Sequence, residues 1–523
     1  VMTTDLRGKI LWADDEIELL RSHVLYLRER GIEVFEVTNG QDAIDAVQED
    51  RYDLVLMDQM MPGMDGIATL REIKDIHPAL PVVLITKNEE EWLMDEAISE
   101  KVSGYLTKPV NPSQIFLACK KVLEEEQILG DKATSGYLHD FQEIEAALST
   151  DLDADGWWQL YRKLIQWQLE MDDRKDVGLK PILEEQMANC NMVFTQFITD
   201  HYLDWIQTKA AERPTLSTDV VESFVSPHLK DGQKIFLLVI DCLRSDQALT
   251  ILPEIQRYFD VDVDYHISLI PSATPYSRNG IFSGLTLDEI QNKHPSQWAA
   301  MKGDEHSMNR EEQTLLRKHL DGLGFRDRSI HYSKVNVARE GKGFLGKLGD
   351  IMEIDVISLV VNFMDLLTHH RSHSDLLLEM LPDDAGYRSM VKTWFSNSWL
   401  LEVLQMLSES NYRVILTTDH GSIRVKKPVR VAGDRETSSG IRYKYGRNLN
   451  CPDKHALVIK DPAKYRLPEM VKGTNYLIAK EDRYFVYPTE YHKYRETLDG
   501  SFQHGGISME EMLVPVLTLT PRP

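Results

Sequence analysis

At 523 residues the chain has room for about three or four domains, and its 42% hydrophobic content suits buried globular cores. A formal net charge of −24 argues against bulk attachment to nucleic acid or anionic membranes. No apolar run approaches the ~20 residues that span a bilayer, and the four cysteines (Cys119, Cys190, Cys242, Cys451) form no CxxC pair, so neither a membrane anchor, a disulfide framework nor a cysteine zinc site is expected. The opening VMTTDLRGKILWADDE lacks a basic stretch followed by an apolar one, the mark of an export signal, so a cytoplasmic protein is expected.

From Lys9 to about Val122, short apolar runs alternate with amphipathic helical stretches. KILWA, EVFEV, DLVLM, PVVLIT and SGYLT read as five strands, the alternation of a doubly wound parallel sheet. The acidic run Glu124–Glu126 extends the last helix towards Gly130. Between Thr134 and Arg213 no strand pattern is visible. Trp157, Leu160, Tyr161, Leu164 and Trp167 recur at helical spacing, and Pro181 suits the start of a second long helix. Acids outnumber bases about two to one here, so no DNA-reading helix is expected, and direct sequence-specific DNA binding is not either. From about Asp219 the β/α alternation resumes, with strands KIFLLVI (234–240), VISLVVNF (356–363), YRVILTT (412–418) and LVPVLTLT (513–520).

Asp14 and Asp15 follow the first strand, Asp58 ends the third within LVLMDQMMPGMDG, Thr86 ends the fourth, and Lys108 follows the fifth in YLTKP. Carboxyl ends of parallel strands converge on one crevice. Three carboxylates there require a cation, and hard oxygen ligands suit Mg²⁺. The pattern makes Asp58 a nucleophile toward a phosphoryl group, Lys108 a compact positive charge, and the Thr86 hydroxyl a donor to phosphoryl oxygens. With MPGMDG, LTKP and Tyr105 in place, residues 5–125 resemble a response-regulator receiver domain. The resemblance implies phosphorylation of Asp58 by a sensor histidine kinase, a switch through Thr86 and Tyr105, and a homodimer on phosphorylation.

A second set of ligand-type residues lies at later strand ends. Asp241 follows KIFLLVI, Asp365 follows VISLVVNFM, and Asp419 and His420 follow YRVILTT. His369 stands one helical turn beyond Asp365, with His370 and His373 as alternatives, and His504 precedes the last strand in FQHGGISMEEMLVPV. Gly421 is read as letting the chain turn away behind Asp419 and His420. Carboxylates and imidazoles without cysteine suit zinc or manganese, and two such ions about 4 Å apart form a clamp for phosphoryl displacement. Thr274, just before Pro275, fits a helix start, where free N–H groups attract phosphate. Metal coordination would activate its hydroxyl as the nucleophile. Ser272, Ser277 and Ser283 lack that context. The ordered pattern Asp, Thr, Asp-x₃-His, Asp-His-Gly, His-Gly-Gly resembles the PglZ-type domains of the alkaline phosphatase superfamily over about residues 219–523. The resemblance implies one zinc site from Asp241, Thr274, Asp419 and His420, and another from Asp365, His369 and His504.

Residues 424–447 are basic within an acidic chain: Lys426, Lys427, Arg430, Arg435, Arg442, Lys444 and Arg447 interleave with Tyr443 and Tyr445. The strip is either a lip that holds a nucleotide strand or a solvated, charge-balancing loop. Arg278, one turn past Thr274, is either a contact to the transferred phosphate or a surface salt bridge. The order of receiver (5–125), helical connector bundle (126–217) and PglZ-like domain (218–523) resembles the PorX type of response regulator, a family associated with type IX secretion control. The expected fold is therefore α/β and multidomain: a CheY-like doubly wound receiver, a helical-bundle connector and an alkaline-phosphatase-like α/β effector. The expected function is phosphorylation control of a zinc phosphodiesterase acting on nucleotides or oligonucleotides. The alternatives are a phosphorylation-switched signalling scaffold with little turnover, and a phosphomonoesterase.

Overall fold

The structure is a computed structural model that describes residues 8–77, 80–87, 102–123, 132–174, 179–301, 305–371, 374–433, 438, 440–487 and 498–522. It divides into two compact units, Val1–Ser149 and Thr150–Pro523.

In the first unit, β1 (Gly8–Ala13), β2 (Ile32–Val37), β3 (Leu54–Asp58), β4 (Val82–Thr86) and β5 (Gly104–Thr107) form one parallel sheet in the order β2-β1-β3-β4-β5. The inner strands β3 and β4 are buried along their whole length, as a sheet covered on both faces requires. Leu11, Val55, Met57, Leu70 and Ile73 pack into its core. The helices Gly40–Glu49 and Gly66–Ile76 begin at Asn39 and Asp65, whose side chains accept from Asp42 N and Ala68 N and so satisfy otherwise orphaned helix donors. The acidic run Glu124–Glu126 lies outside the described residues.

The second unit is built on β6 (Lys234–Ile240), β7 (Phe259–Ile267), β8 (Ile330–Val335), β9 (Val356–Val361) and β10 (Tyr412–Thr417). Seven short strands follow: β11 (Ile423–Arg424), β12 (Lys427–Arg430), β13 (Tyr443–Gly446), β14 (Ala456–Ile459), β15 (Asn475–Ala479), β16 (Arg483–Val486) and β17 (Phe502–Gln503). The chain then returns through β18 (Leu513–Pro521), giving a six-stranded sheet in the order β7-β18-β10-β6-β9-β8. Strands β10, β6, β9 and β8 are parallel, and β18 runs antiparallel between β10 and β7. Side chains alternate across β6. Phe236, Leu238 and Ile240 join one core with Ile251, Val391 and Leu400, while Ile235, Leu237 and Val239 join another with Phe282, Leu316 and Leu320. Helices thus cover both faces.

The edge strands β7 and β8 escape a reading by apolar runs. β7 is FDVDVDYHI, with Asp260, Asp262 and Asp264 at alternate positions, and charge on an edge strand discourages pairing with a further strand. The described part of the basic strip is not all loop, because β12 and β13 fall within it, and the small sheets bury Val429, Val431, Leu477 and Phe485. The described residues of 126–217 are mainly helical, as expected for a connector. Lys132–Leu148 belongs to the first unit, while Ala154–Arg174 and Lys180–Gln207 belong to the second. Those two are tied to the α/β body by Asp172 with Arg388, Lys180 with Asp383, and Asn191 with Glu510. Among the described residues no helix is long and apolar enough to cross a membrane.

Candidate active site and phospho-acceptor pocket

In the first unit, Asp14 follows β1, Asp58 and Thr86 end β3 and β4, and Lys108 follows β5, so one rim of the sheet gathers them. Lys108 Nζ lies 2.9 Å from Asp58 Oδ1 and 3.0 Å from Asp14 Oδ2. Asp14, Asp15 and Asp58 each bring an oxygen within 4.8 Å of the others. Burial pushes the Asp58 carboxyl up, and the hydrogen bond from Lys108 only partly offsets it. Burial would lower Lys108, but its bonds to Asp58 and Asp14 hold it raised. Three carboxylates against one ammonium leave negative charge on the rim, a donor set that fits an oxygen-ligated Mg²⁺. Thr86 is buried and Tyr105 on β5 is 45% exposed.

The second unit repeats the principle on a larger scale. Strands β10, β6 and β9 are adjacent and parallel, so Asp419, Asp241 and Asp365 emerge side by side from their carboxyl ends. Asp365 is the third residue of the helix Phe363–Arg371, and His369 stands one turn on. His369 Nε2 lies 3.3 Å from Asp365 Oδ1, His504 Nε2 lies 3.4 Å from the same oxygen, and the two nitrogens are 3.3 Å apart. Asp241, Asp419 and His420 form a second triad within 4.8 Å, with His420 Nε2 3.7 Å from an oxygen of each carboxylate. The His420 and His504 rings stack at 4.3 Å, which sets the triads next to each other.

Several observations make both triads candidate cation sites. His420 Nδ1 donates to Gly421 O at 3.0 Å, which leaves the Nε2 lone pair facing the triad. Asp419 Oδ2 is buried without a hydrogen-bond partner, an expensive state for a carboxylate that a cation would relieve. Burial raises Asp241 and Asp419, with the neighbouring Asp419 charge adding to the effect on Asp241. Burial, with His504 beside it, pushes His420 down to about 4. Asp365, despite its burial, is held well below the usual carboxylate range by hydrogen bonds from His369 and His504. Imidazoles beside carboxylates, without thiolates, suit zinc or manganese.

Thr274 opens the helix Thr274–Ser283, and its Oγ1 lies 3.0 Å from His420 Nε2 and 3.3 Å from Asp241 Oδ1. The helix start is less open than its Thr-Pro sequence implies, because Tyr276 N and Ser277 N both donate to Ala273 O. Ser272 and Ser277 are committed elsewhere, to Gly506 O and to Ser268 Oγ, and Ser283 to Asn279 O. Of the alternatives to His369, His373 and the side chain of His370 lie outside the described residues.

The basic residues are arranged differently from expectation. Arg278 is buried, not part of a surface salt bridge, and two of its three guanidinium nitrogens are bonded within the protein. Its Nη1 donates to Asp241 Oδ2 at 2.5 Å and to Asn362 Oδ1 at 3.0 Å, and its Nε to Glu312 Oε1 at 2.5 Å. Arg442 is fully buried and paired with Glu511, so it is no lip residue. Lys444 is also buried, with Nζ 3.3 Å from Ser438 O and over the Tyr487 ring. Arg447 is exposed and donates to Lys472 O, and Lys426 is exposed 4.0 Å from Glu184. Arg435 lies outside the described residues.

Three supports were not visible in the motifs. Cys242 has φ +64° and aims its N–H at Asp419 Oδ1, 3.3 Å away, a strained conformation of the kind found at functional sites. Glu511 takes Arg442 on one side and accepts from Gly506 N at 2.8 Å and Ser508 Oγ at 2.6 Å on the other, fixing the loop behind His504. Gly421 does not have a positive φ, so it is no turn-maker. A Cβ there would sit 1.9 Å from Glu510 O, and it is this close approach of two backbones that requires glycine. The one available signal was composition: a small residue beside each ligand pair, in DHG and HGG.

Comparison with known proteins accords with this layout. Residues 220–519 match the BREX system PglZ alkaline phosphatase-like domain, residues 10–120 the response regulator receiver domain, and residues 127–206 the PorX response regulator linker domain. Over 149 residues the chain is 30% identical to the transcriptional regulatory protein SrrA of Staphylococcus aureus, a stretch that is 28% of this chain and 61% of that protein. The chain thus spans about three fifths of the curated relative's length. Among solved structures, a Francisella response regulator 1452 receiver domain is 24% identical, covering 23% of this chain and 98% of that one with a TM-score of 0.22. A response regulator receiver domain protein from Clostridium thermocellum is 29% identical, covering 23% and 98% with a TM-score of 0.22.

Proposed function

Because the chain belongs to the PglZ alkaline phosphatase-like family and has the receiver, linker and effector order of a PorX-type response regulator, we propose that it is a phosphorylation-controlled, zinc-dependent phosphodiesterase. The receiver implies a histidine kinase as its partner. The observation that carries the reading is the pair of ligand triads on one sheet rim, with Thr274 Oγ1 within hydrogen-bond reach of both Asp241 and His420.

In this reading Asp241, Asp419 and His420 hold one zinc ion, and Asp365, His369 and His504 the other. Bound there, the ions supply positive charge that acidifies a hydroxyl or a water and neutralises phosphoryl oxygens. Thr274 is held by Asp241 and His420 with its oxygen facing the substrate. Thr274 Oγ forms the new bond to phosphorus as the ester oxygen departs and takes up a proton. Water then cleaves the phosphothreonine and restores the hydroxyl.

Nucleotides or oligonucleotides are the proposed substrates, with the exposed Lys426 and Arg447 as candidate phosphate contacts. Phosphorylation of Asp58, with Mg²⁺ held by Asp14, Asp15 and Asp58, drives the switch through Thr86 and Tyr105 to a homodimer. The domain order supports a role in type IX secretion control. The test is turnover of a chromogenic phosphodiester and a panel of dinucleotides by the zinc-loaded protein, phosphorylated and not. Thr274→Ala should keep its zinc and lose at least about a thousandfold in turnover, within the range that nucleophile removal costs. Undiminished turnover would overturn the reading.

A further inference from the structure

The loop that presents His504 is held from outside the segment that matches the PglZ family. Asn191, on the helix Lys180–Gln207, is 4% exposed. Its Oδ1 accepts from Met509 N at 2.8 Å and its Nδ2 donates to Glu510 Oε2 at 2.8 Å. The amide orientation is unambiguous, because Met509 N–H can only donate and the Glu510 carboxylate accepts. One turn further along, Thr195 Oγ1 donates to Ile507 O at 3.3 Å. Between His504 and the Thr195 contact at Ile507 lie only Gly505 and Gly506, which have no side chains to fix the backbone themselves, and the Asn191 contacts follow at Met509 and Glu510. Ser272 Oγ, accepting from Gly505 N and donating to Gly506 O, and Glu511, accepting from Gly506 N, grip that link from the effector side. The grip from the other side is Asn191, and the same segment reaches the second triad, since Gly421 N donates to Glu511 O at 3.1 Å.

We propose that Asn191 is a positioning residue of the metal centre, holding the segment after His504 so that the imidazole meets Asp365 and His369. The inference rests on the dimetal reading above and adds to it a part for the linker: the site is completed by a helix in the linker match, residues 127–206, not by the effector match alone. A buried side-chain amide with both ends bonded to a ligand-bearing loop is costly to remove, and outer contacts of this kind typically change metal affinity ten- to a hundredfold.

The experiment is a zinc titration of the full chain at pH 8 against a chromophoric chelator, with millimolar Mg²⁺ present to occupy the receiver carboxylates. Asn191→Leu should weaken one of two zinc equivalents about tenfold and leave the other within twofold. Should that variant not fold, Asn191→Asp probes the same contact, keeping the acceptor for Met509 N while setting a carboxylate against Glu510, and it should lose about as much. Adding Glu510→Gln to Asn191→Asp restores a donor with the hydrogen bond reversed, and should bring both equivalents within threefold of wild type. Unchanged zinc binding in the single variants overturns the assignment and leaves the dimetal reading standing. So does an equal loss at both equivalents, or a double variant no better than Asn191→Asp. A wild-type chain that binds fewer than two equivalents overturns the dimetal reading itself, and the assignment with it.

Discussion

Arg278 offers the sharpest test of the cation site, because it competes for the same carboxylate. Its guanidinium is buried between Asp241 and Glu312, at 2.5 Å from each. Replacing it by methionine keeps the volume and removes the charge. Breaking a buried ion pair from one side costs about 3–5 kcal/mol. Two features place Arg278→Met at the lower end, near about 3 kcal/mol. Glu312 keeps Lys334 at 2.7 Å, Asn309 at 2.8 Å and the Tyr332 hydroxyl, so Asp241, left with the Thr274 hydroxyl at 3.3 Å, is the carboxylate that loses its charge partner. Asp241, already pushed up by burial and by Asp419, can also take up a proton. With zinc bound, a second cation faces Asp241, and the cost should fall to about 1 kcal/mol. Linkage then requires the difference of about 2 kcal/mol to reappear as roughly thirtyfold tighter zinc binding at the Asp241 triad. Thermal unfolding of metal-free and zinc-loaded protein measures the first quantity, and a chelator competition the second. An equal stability gap in both states, with zinc affinity unchanged, would show that Arg278 and the metal do not share Asp241.

Gly421→Ala places a Cβ 1.9 Å from Glu510 O, a backbone atom that cannot swing aside. It should cost about 3 kcal/mol or more and lower bound zinc together with melting temperature; a variant as stable as wild type would refute the close-approach argument. His266 is fully buried, with Nε2 donating to Thr418 O at 3.0 Å, and burial pushes it down to about 4. Its folded pKa lies below its unfolded value near 6.5, so its destabilisation is absent above that pH, grows as pH falls through the window and saturates below about 4, reaching about 3 kcal/mol. His266→Gln, whose amide can donate to the same carbonyl, should show a shallower loss of stability between pH 6.5 and 4; identical slopes would refute the assignment. Asp58→Asn should abolish the mobility shift that acetyl phosphate and Mg²⁺ produce on a phosphate-affinity gel, and chelation of Mg²⁺ should do the same to wild type. A shift retained by the variant would place the phosphoryl group elsewhere.

What was legible in the sequence follows from how parallel sheets work. Asp58, Asp241, Asp365 and Asp419 stand next to long apolar runs, and adjacent parallel strands bring their carboxyl ends to one rim whatever lies between them. Strand β7 was not legible, because an edge strand with aspartate at alternate positions has no apolar run to find. The connector was legible as helices, from its aromatic spacing, but its tertiary partners were not: pairs such as Asp172 with Arg388 and Asn191 with Glu510 lie far apart in the chain and follow no period.

The arginines show why charge in a sequence is a weak guide to substrate contacts. Arg278 and Arg442 lie beside ligand and glycine motifs and read as recognition groups, yet each is neutralised by a glutamate distant in the chain, Glu312 and Glu511. Burying a guanidinium is costly unless it is paired and fully hydrogen-bonded, so both positions are spent on geometry. One fixes Asp241 and the other, through Glu511, fixes the backbone after His504. On the proposed phosphodiesterase reading, substrate selection falls to groups that remain solvent-facing, such as Lys426 and Arg447. Their loss should raise KM for an oligonucleotide with kcat and zinc content little changed, whereas loss of Arg442 should disturb the metal centre itself.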